Sequence, residues 1–168
     1  VNIRIYEELK KKIKIEILCI RPKKLILNKK IIHTDFKKGN SNIDIVEKNT
    51  IFNNLRFLYF KDIFKNIVKF KPTHIIVHND PVSFQTISLI FFSLFKSFSV
   101  ICVSNENKVL KSINNFQILV FLRSSLLFFV NFFLKKRIKY IFCITKQIKK
   151  NYDFLGYKNK TILMPLGF

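Results

Sequence analysis

Two short polar clusters interrupt an otherwise apolar stretch of chain: His78-Asn79-Asp80-Pro81 and Ser104-Asn105-Glu106-Asn107. An imidazole and carboxylates meeting in one cleft can serve as an acid/base pair, and the amides and hydroxyl beside them can hydrogen-bond the hydroxyls of a sugar. Each residue also has a plain structural use. Asp80 can cap a helix whose first position is Pro81, where the missing N–H costs nothing, and Glu106 can be a solvated loop charge. Position gives the clusters joint weight. Each follows a run of β-branched and apolar residues that reads as a strand. In an open parallel sheet, ligands bind outside the carboxyl ends of the strands, where helix N-termini present free N–H groups.

The elements that must position these clusters alternate along the chain. Residues 2 to 12 place Ile3, Tyr6, Leu9 and Ile13 at helical spacing between charged residues. A strand from Lys14 to Ile20 follows, closed by Pro22, and a shorter strand covers Lys30 to His33. Lys37 to Asn42, with Gly39, Asn40 and Ser41, reads as a loop. Phe52 to Phe70 carries apolar residues at helical spacing and stops at Lys71-Pro72. Strand Thr73 to Val77, helix Val82 to Lys96, strand Ser99 to Val103 and loop Ser104 to Lys108 come next. A long apolar helix from about Phe116 to Lys135 leads to strand Lys139 to Ile144. Thr145 then caps a helix to Leu155, Gly156 suits a left-handed C-terminal cap, and strand Thr161 to Met164 meets Pro165. Such alternation predicts an α/β fold, a Rossmann-like parallel sheet with helices on both faces, in a single domain over residues 1 to 168.

Composition narrows the function classes. With 168 residues, nearly half of them apolar, the chain can bury a core, which excludes a disordered tail. The formal charge of +21 would ordinarily point to nucleic acid or an anionic membrane. Here Lys, Ile, Asn and Phe are abundant everywhere, Trp is absent and Gly only 3, so the bias is global and no nucleic-acid motif accompanies it. Cys19, Cys102 and Cys143 stand apart inside apolar runs, an odd count without metal-ligand spacing. They read as buried free thiols in a reducing cytoplasm, with no metal site. Two segments also admit a transmembrane reading, Ile87 to Val103 and Phe116 to Leu134. Lys96-Ser97 divides the first into helix and strand, and Gln117, Arg123 and Asn131 interrupt the second, so burial in a globular domain is the better reading. Basic, phenylalanine-rich helices can also rest on a bilayer surface, which leaves peripheral attachment at the inner face of the membrane open.

Taken in order, several segments resemble one family. KPTHIIVHNDP (71–81) and SNEN (104–107) resemble the corresponding strand-loop segments in the N-terminal domain of family 4 GT-B glycosyltransferases. YIFCITKQIKKNYDFLGYKNKTILMPLGF (140–168) is similar to that domain's closing pattern of strand, Ser or Thr, helix, Gly-Tyr, strand and P-x-G. The opening NIRIYEELKKKIKIEILCIRP resembles its first helix and second strand. The resemblance implies one half of a GT-B fold, with hexosyl transfer from a nucleotide-sugar to a glycan or lipid-linked acceptor in envelope polysaccharide or glycolipid synthesis. It implies retention of anomeric configuration and needs neither metal nor bound cofactor. His78, Asn79, Asp80, Ser104, Asn105, Glu106 and Asn107 would then line the acceptor side of the cleft, with Gly167 at the hinge near the donor phosphates. The family's first strand with its Gly-rich loop is expected before Val1, and its donor-binding domain after Phe168, so this stretch alone is expected to be inactive. Many relatives have a histidine where Ser104 and Asn105 stand, and the catalytic residues stay unassigned. The alternative is a non-catalytic Rossmann-like module that binds a membrane surface or a partner protein.

Overall fold

The structure, a computed structural model, describes residues 3–27, 30–33, 43–51, 58–81, 83–104, 125, 129, 132 and 135–164. The chain divides into two compact units, Val1–Lys71 and Pro72–Phe168.

In the first unit, helix α1 (Ile3–Lys12) ends in three lysines that complement the negative end of its dipole. Strand β1 (Leu18–Pro22) pairs in parallel with β4 (Asp44–Lys48). Arg21 and Glu47 are register partners and form an ion pair across the two strands. The expected strand at Lys14 to Ile20 thus starts four residues later and includes Pro22, which sits at the strand's end, where a missing N–H is tolerated. Strands β2 (Lys24–Leu27) and β3 (Lys30–His33) form an antiparallel pair. The span of β3 matches the sequence reading, whereas β2 and β4 were not anticipated. Helix α2 (Ile63–Phe70) buries Ile63 and Ile67 and is shorter than the expected Phe52 to Phe70. Phe60 instead bridges Thr50, and residues 52–57 lie outside the described part. Lys71 stops α2 in the left-handed conformation (φ 51°), its N–H bonded to Ile67 O. The Lys37 to Asn42 loop lies outside the described residues.

The second unit carries a larger sheet. Strands β5 (His74–Val77), β6 (Ser99–Ser104), β7 (Ile138–Cys143) and β8 (Thr161–Leu163) form a four-stranded sheet in that order, every pair parallel. Val100, Cys102, Ile138, Ile141 and Cys143 are fully buried, as β-branched and small apolar residues are when helices cover a parallel sheet. Helix α3 (Phe84–Phe92) joins β5 to β6, and α4 (Lys146–Tyr152) joins β7 to β8. The fold is therefore α/β, a Rossmann-like parallel sheet flanked by helices.

The suspected membrane span at Ile87 to Val103 resolves as the sequence suggested: α3 ends at Phe92 and β6 begins at Ser99, either side of Lys96. Among the described residues no helix is long and apolar enough to cross a membrane. Ser125 and Phe129 are helical, while the rest of the Phe116 to Leu134 segment, Phe132 apart, lies outside the described residues.

After α4 the chain makes a wide turn over Asp153–Tyr157, in which Gly156 adopts φ +83°. A Cβ there would stand 2.9 Å from Lys135 Nζ, at the yielding end of a flexible side chain, so the backbone conformation sets the cost. Gly156→Ala is expected to lower stability by about 1 kcal/mol and Gly156→Asn by less, because Asn tolerates the left-handed region. Urea denaturation of both variants checks this, and equal losses would contradict it.

Candidate functional site

At the carboxyl edge of the four-stranded sheet, β5 delivers His78, Asn79 and Asp80, β6 ends on Ser104, and β7 leads through Ile144 to Thr145. Thr145 is the N-cap of α4, its Oγ1 accepting from Ile148 N at 3.2 Å, as the sequence predicts.

Asp80 departs from expectation. The cap of α3 is Ser83, whose Oγ accepts from Thr86 N at 3.2 Å, and α3 starts at Phe84, so Pro81 precedes the helix. Asp80 contributes its carbonyl to this turn, accepting from Ser83 N at 3.0 Å. Its carboxylate turns instead toward the next strand and the far helix. Ser104 Oγ donates to Asp80 Oδ1, and the Tyr152 hydroxyl lies 3.3 Å from both Asp80 Oδ1 and Ser104 Oγ. Three segments far apart in sequence thus close on one carboxylate: the loop after β5, the end of β6 and the last residue of α4. Ser104 and Tyr152 are fully buried. A charged acceptor with two buried hydroxyl donors is among the stronger arrangements available to neutral donors, and it fixes the loop that carries His78 and Asn79.

Burial and the neighbouring Asp80 charge push the Tyr152 phenol well above its ordinary value, so it stays protonated and donates. Asn79 Oδ1 accepts from Asp80 N at 2.9 Å, a side-chain turn that orients the carboxamide within the loop. His78 stands at the same edge, and desolvation by the surrounding protein holds its imidazole below the ordinary value, which favours the neutral ring. A neutral imidazole and a carboxamide together offer both hydrogen-bond donors and acceptors, the complement of sugar hydroxyls.

Of the sequence-derived candidates, the structure brings His78, Asn79, Asp80 and Ser104 to one edge, with Ser104 inside β6 instead of in a loop. Asn105, Glu106, Asn107 and Gly167 lie outside the described residues. Tyr152 was not among the candidates, and nothing local marks it, since its partner stands 72 residues earlier. No cluster of three or more metal-ligating side chains occurs among the described residues.

The thiols behave as burial dictates. Cys102 and Cys143 lie in the sheet interior, and desolvation pushes Cys143 to about 11 and Cys102 well above its ordinary value. Cys19 is half-buried and raised by burial, against an opposing pull from Arg21. A thiol reagent applied to the native protein at neutral pH is expected to modify Cys19 slowly and the other two only on unfolding. Rapid labelling of all three in the native state would contradict the buried assignment.

No protein-family profile matches the chain, and no curated protein or solved structure matches it significantly.

Proposed function

We propose that this chain is the acceptor-side half of a GT-B type glycosyltransferase, moving a hexosyl group from a nucleotide-sugar to a glycan or a lipid-linked acceptor. The observation that carries the reading is the carboxyl-edge loop His78-Asn79-Asp80, fixed by Asp80 to Ser104 and Tyr152, at the edge of a parallel sheet where this architecture binds ligands. In such a reaction an acceptor hydroxyl attacks the anomeric carbon and a C–O bond forms, while the bond to the donor phosphate breaks with its electron pair leaving on the phosphate oxygen, which takes up the proton that the hydroxyl loses. His78 and Asn79 have the chemistry to hold that acceptor, because a neutral imidazole and an amide can both accept from and donate to hydroxyls. Asp80 holds the loop and is a positioning residue. The nucleotide-sugar is a substrate, and neither a metal nor a cofactor enters the scheme. We place this activity in the cytoplasm, with the acceptor presented at the inner face of the membrane.

The engagement of Asp80 with two hydroxyls also favours a second reading, a Rossmann-like binding module without chemistry, since a carboxylate so committed is a poor general base. An assay of the gene product carrying this chain, against nucleotide-sugars and glycan or lipid-linked acceptors, separates the two. Turnover is expected, with His78→Ala and Asn79→Ala each raising the acceptor KM about tenfold while donor affinity holds. Acceptor binding without turnover would favour the binding module, and an unchanged acceptor KM in both variants would refute the site.

A further inference from the structure

The C-terminal end of α3 wears its apolar residues outward. Ser83, Gln85, Thr86 and Ser93 are buried beside Leu89 and Ile90, whereas Phe91 is 54% exposed, Leu94 42% and Phe95 69%. A helix face meant for water would carry the polar residues outward. The exposed patch is also held in shape. Past Phe92 the chain tightens, with Leu94 N donating to Phe91 O at 3.0 Å and Phe95 N to Phe92 O at 3.1 Å. The Phe91 and Phe95 rings meet edge to face with centroids 5.8 Å apart, and the Phe92 ring packs on the buried Phe98 at 6.2 Å. In a parallel sheet with helical crossovers, helix C-termini and the loops entering strands gather at the amino edge, opposite the candidate site. The same edge carries fixed cations. Lys136 and Arg137, both exposed, lie in the short helical turn that enters β7, and Lys160 Nζ ties that turn down through Lys135 O at 2.7 Å and Ile138 O at 2.6 Å. Lys96 before β6 and Lys158 before β8 are exposed as well. No carboxylate occurs in residues 93–98, 135–139 or 158–160.

We infer that the amino edge of the four-stranded sheet is a docking surface for an acidic amphipathic helix of a partner protein. The Phe91-Leu94-Phe95 patch, spaced i, i+3 and i+4, takes the apolar face of that helix, and the exposed cations around it take carboxylates on its flanks. Charge and rigidity select this occupant. A second copy of the chain, with 31 basic against 10 acidic residues, brings like charge to the rim. A bilayer is fluid and needs no fixed array, whereas here two hydrogen-bonded turns hold rings and cations in place, the preorganisation that protein recognition rewards. Orientation agrees. On the acceptor reading proposed above, the carboxyl edge faces the bilayer that presents the acceptor, which turns the amino edge toward partners in solution. Only this orientation argument rests on that reading; the patch and its basic rim do not.

Fluorescence anisotropy of the whole chain at physiological ionic strength, where diffuse attraction to a basic protein is screened, tests it. The probe is a labelled synthetic helical peptide with leucines on one face and glutamates on the other, compared with a peptide of the same composition in scrambled order. Binding is expected to the amphipathic peptide alone, weakened about tenfold in Leu94→Ser/Phe95→Ser and about tenfold in Lys136→Glu/Arg137→Glu. Lys146→Glu/Lys150→Glu, an equal charge change on α4, and His78→Ala at the carboxyl edge should each leave it within about twofold. Circular dichroism of each variant checks that the fold persists. No binding to the amphipathic peptide, equal binding of the scramble, or equal loss in the α4 variant would overturn the inference. So would binding to phosphatidylserine vesicles or duplex DNA that the same amino-edge substitutions abolish, in a protein that ignores the peptide. The assay involves no sugar, so failure of the acceptor reading leaves its result unchanged.

Discussion

Replacing Asp80 by alanine is expected to lower the unfolding free energy by about 3 kcal/mol, a large effect for a single loop residue. The reason lies in what it leaves behind. Ser104 and Tyr152 are fully buried, and both present hydroxyls to Asp80 Oδ1. Hydrogen bonds to a charged acceptor contribute about 1.5–3 kcal/mol each, and a buried donor that loses its partner keeps its desolvation cost. Asp80→Asn retains an acceptor oxygen without the charge and should cost about half as much. If Asp80 were merely a helix cap, Asp80→Ala would cost about 1 kcal/mol and Asp80→Asn almost nothing, because the two are interchangeable caps. Urea denaturation of the two variants distinguishes these cases. A loss below about 1 kcal/mol for Asp80→Ala would remove the carboxylate from its central role.

The two buried tyrosines at the end of α4 give the second large effect and an internal control. Tyr152 and Tyr157 are both fully buried and meet edge to face, with ring centroids 6.1 Å apart. Tyr152→Ala is expected to cost about 4 kcal/mol, the usual range for emptying a buried aromatic site. The phenylalanine variants divide the two residues. Tyr152→Phe removes a donor to Asp80 and should cost about 1.5 kcal/mol. Tyr157 buries a hydroxyl with no hydrogen-bond partner among the described residues, so Tyr157→Phe should be neutral or stabilising by up to about 1 kcal/mol. The phenols also set an alkaline limit. Burial raises the Tyr152 and Tyr157 pKa values above the ordinary 10.0, so the native state holds these protons more tightly than the unfolded chain. The stability they contribute is whole below pH 10 and is lost as pH rises through their folded values. Tyr152→Phe should flatten that decline; an alkaline limb identical to that of the parent would contradict the linkage.

These effects mark where sequence reasoning reaches and where it stops. The sheet of the second unit was legible because its strands are short β-branched or apolar runs bounded by punctuation, such as Lys71-Pro72 before β5 and Thr145 after β7. Gly156 was legible for the same reason, since its left-handed turn demands a residue without a Cβ. In the first unit β4 escaped notice. Asp44, Glu47 and Lys48 give it the look of a loop, and its pairing rests on β1 and on Arg21, 26 residues away from Glu47. Helix α2 was overextended because apolar spacing continues upstream of Ile63, although Phe60 is drawn into a bridge with Thr50. At the site, sequence placed His78 to Asp80 and Ser104 beside strand ends, which topology converts into a common edge. It misassigned Asp80 because Asp-Pro is a strong local helix-start signal. Tertiary contacts with Ser104 and Tyr152 outweigh that signal, and Ser83 takes over the cap.

The most direct test of the acceptor-site reading is saturation-transfer NMR of the chain with a panel of glycans and lipid-linked oligosaccharide headgroups. Transfer to at least one glycan is expected, lost in His78→Ala and Asn79→Ala and retained in Lys136→Glu/Arg137→Glu at the opposite edge. Absence of transfer to every glycan, or transfer that survives both carboxyl-edge variants, would contradict the assignment of this edge to a sugar acceptor.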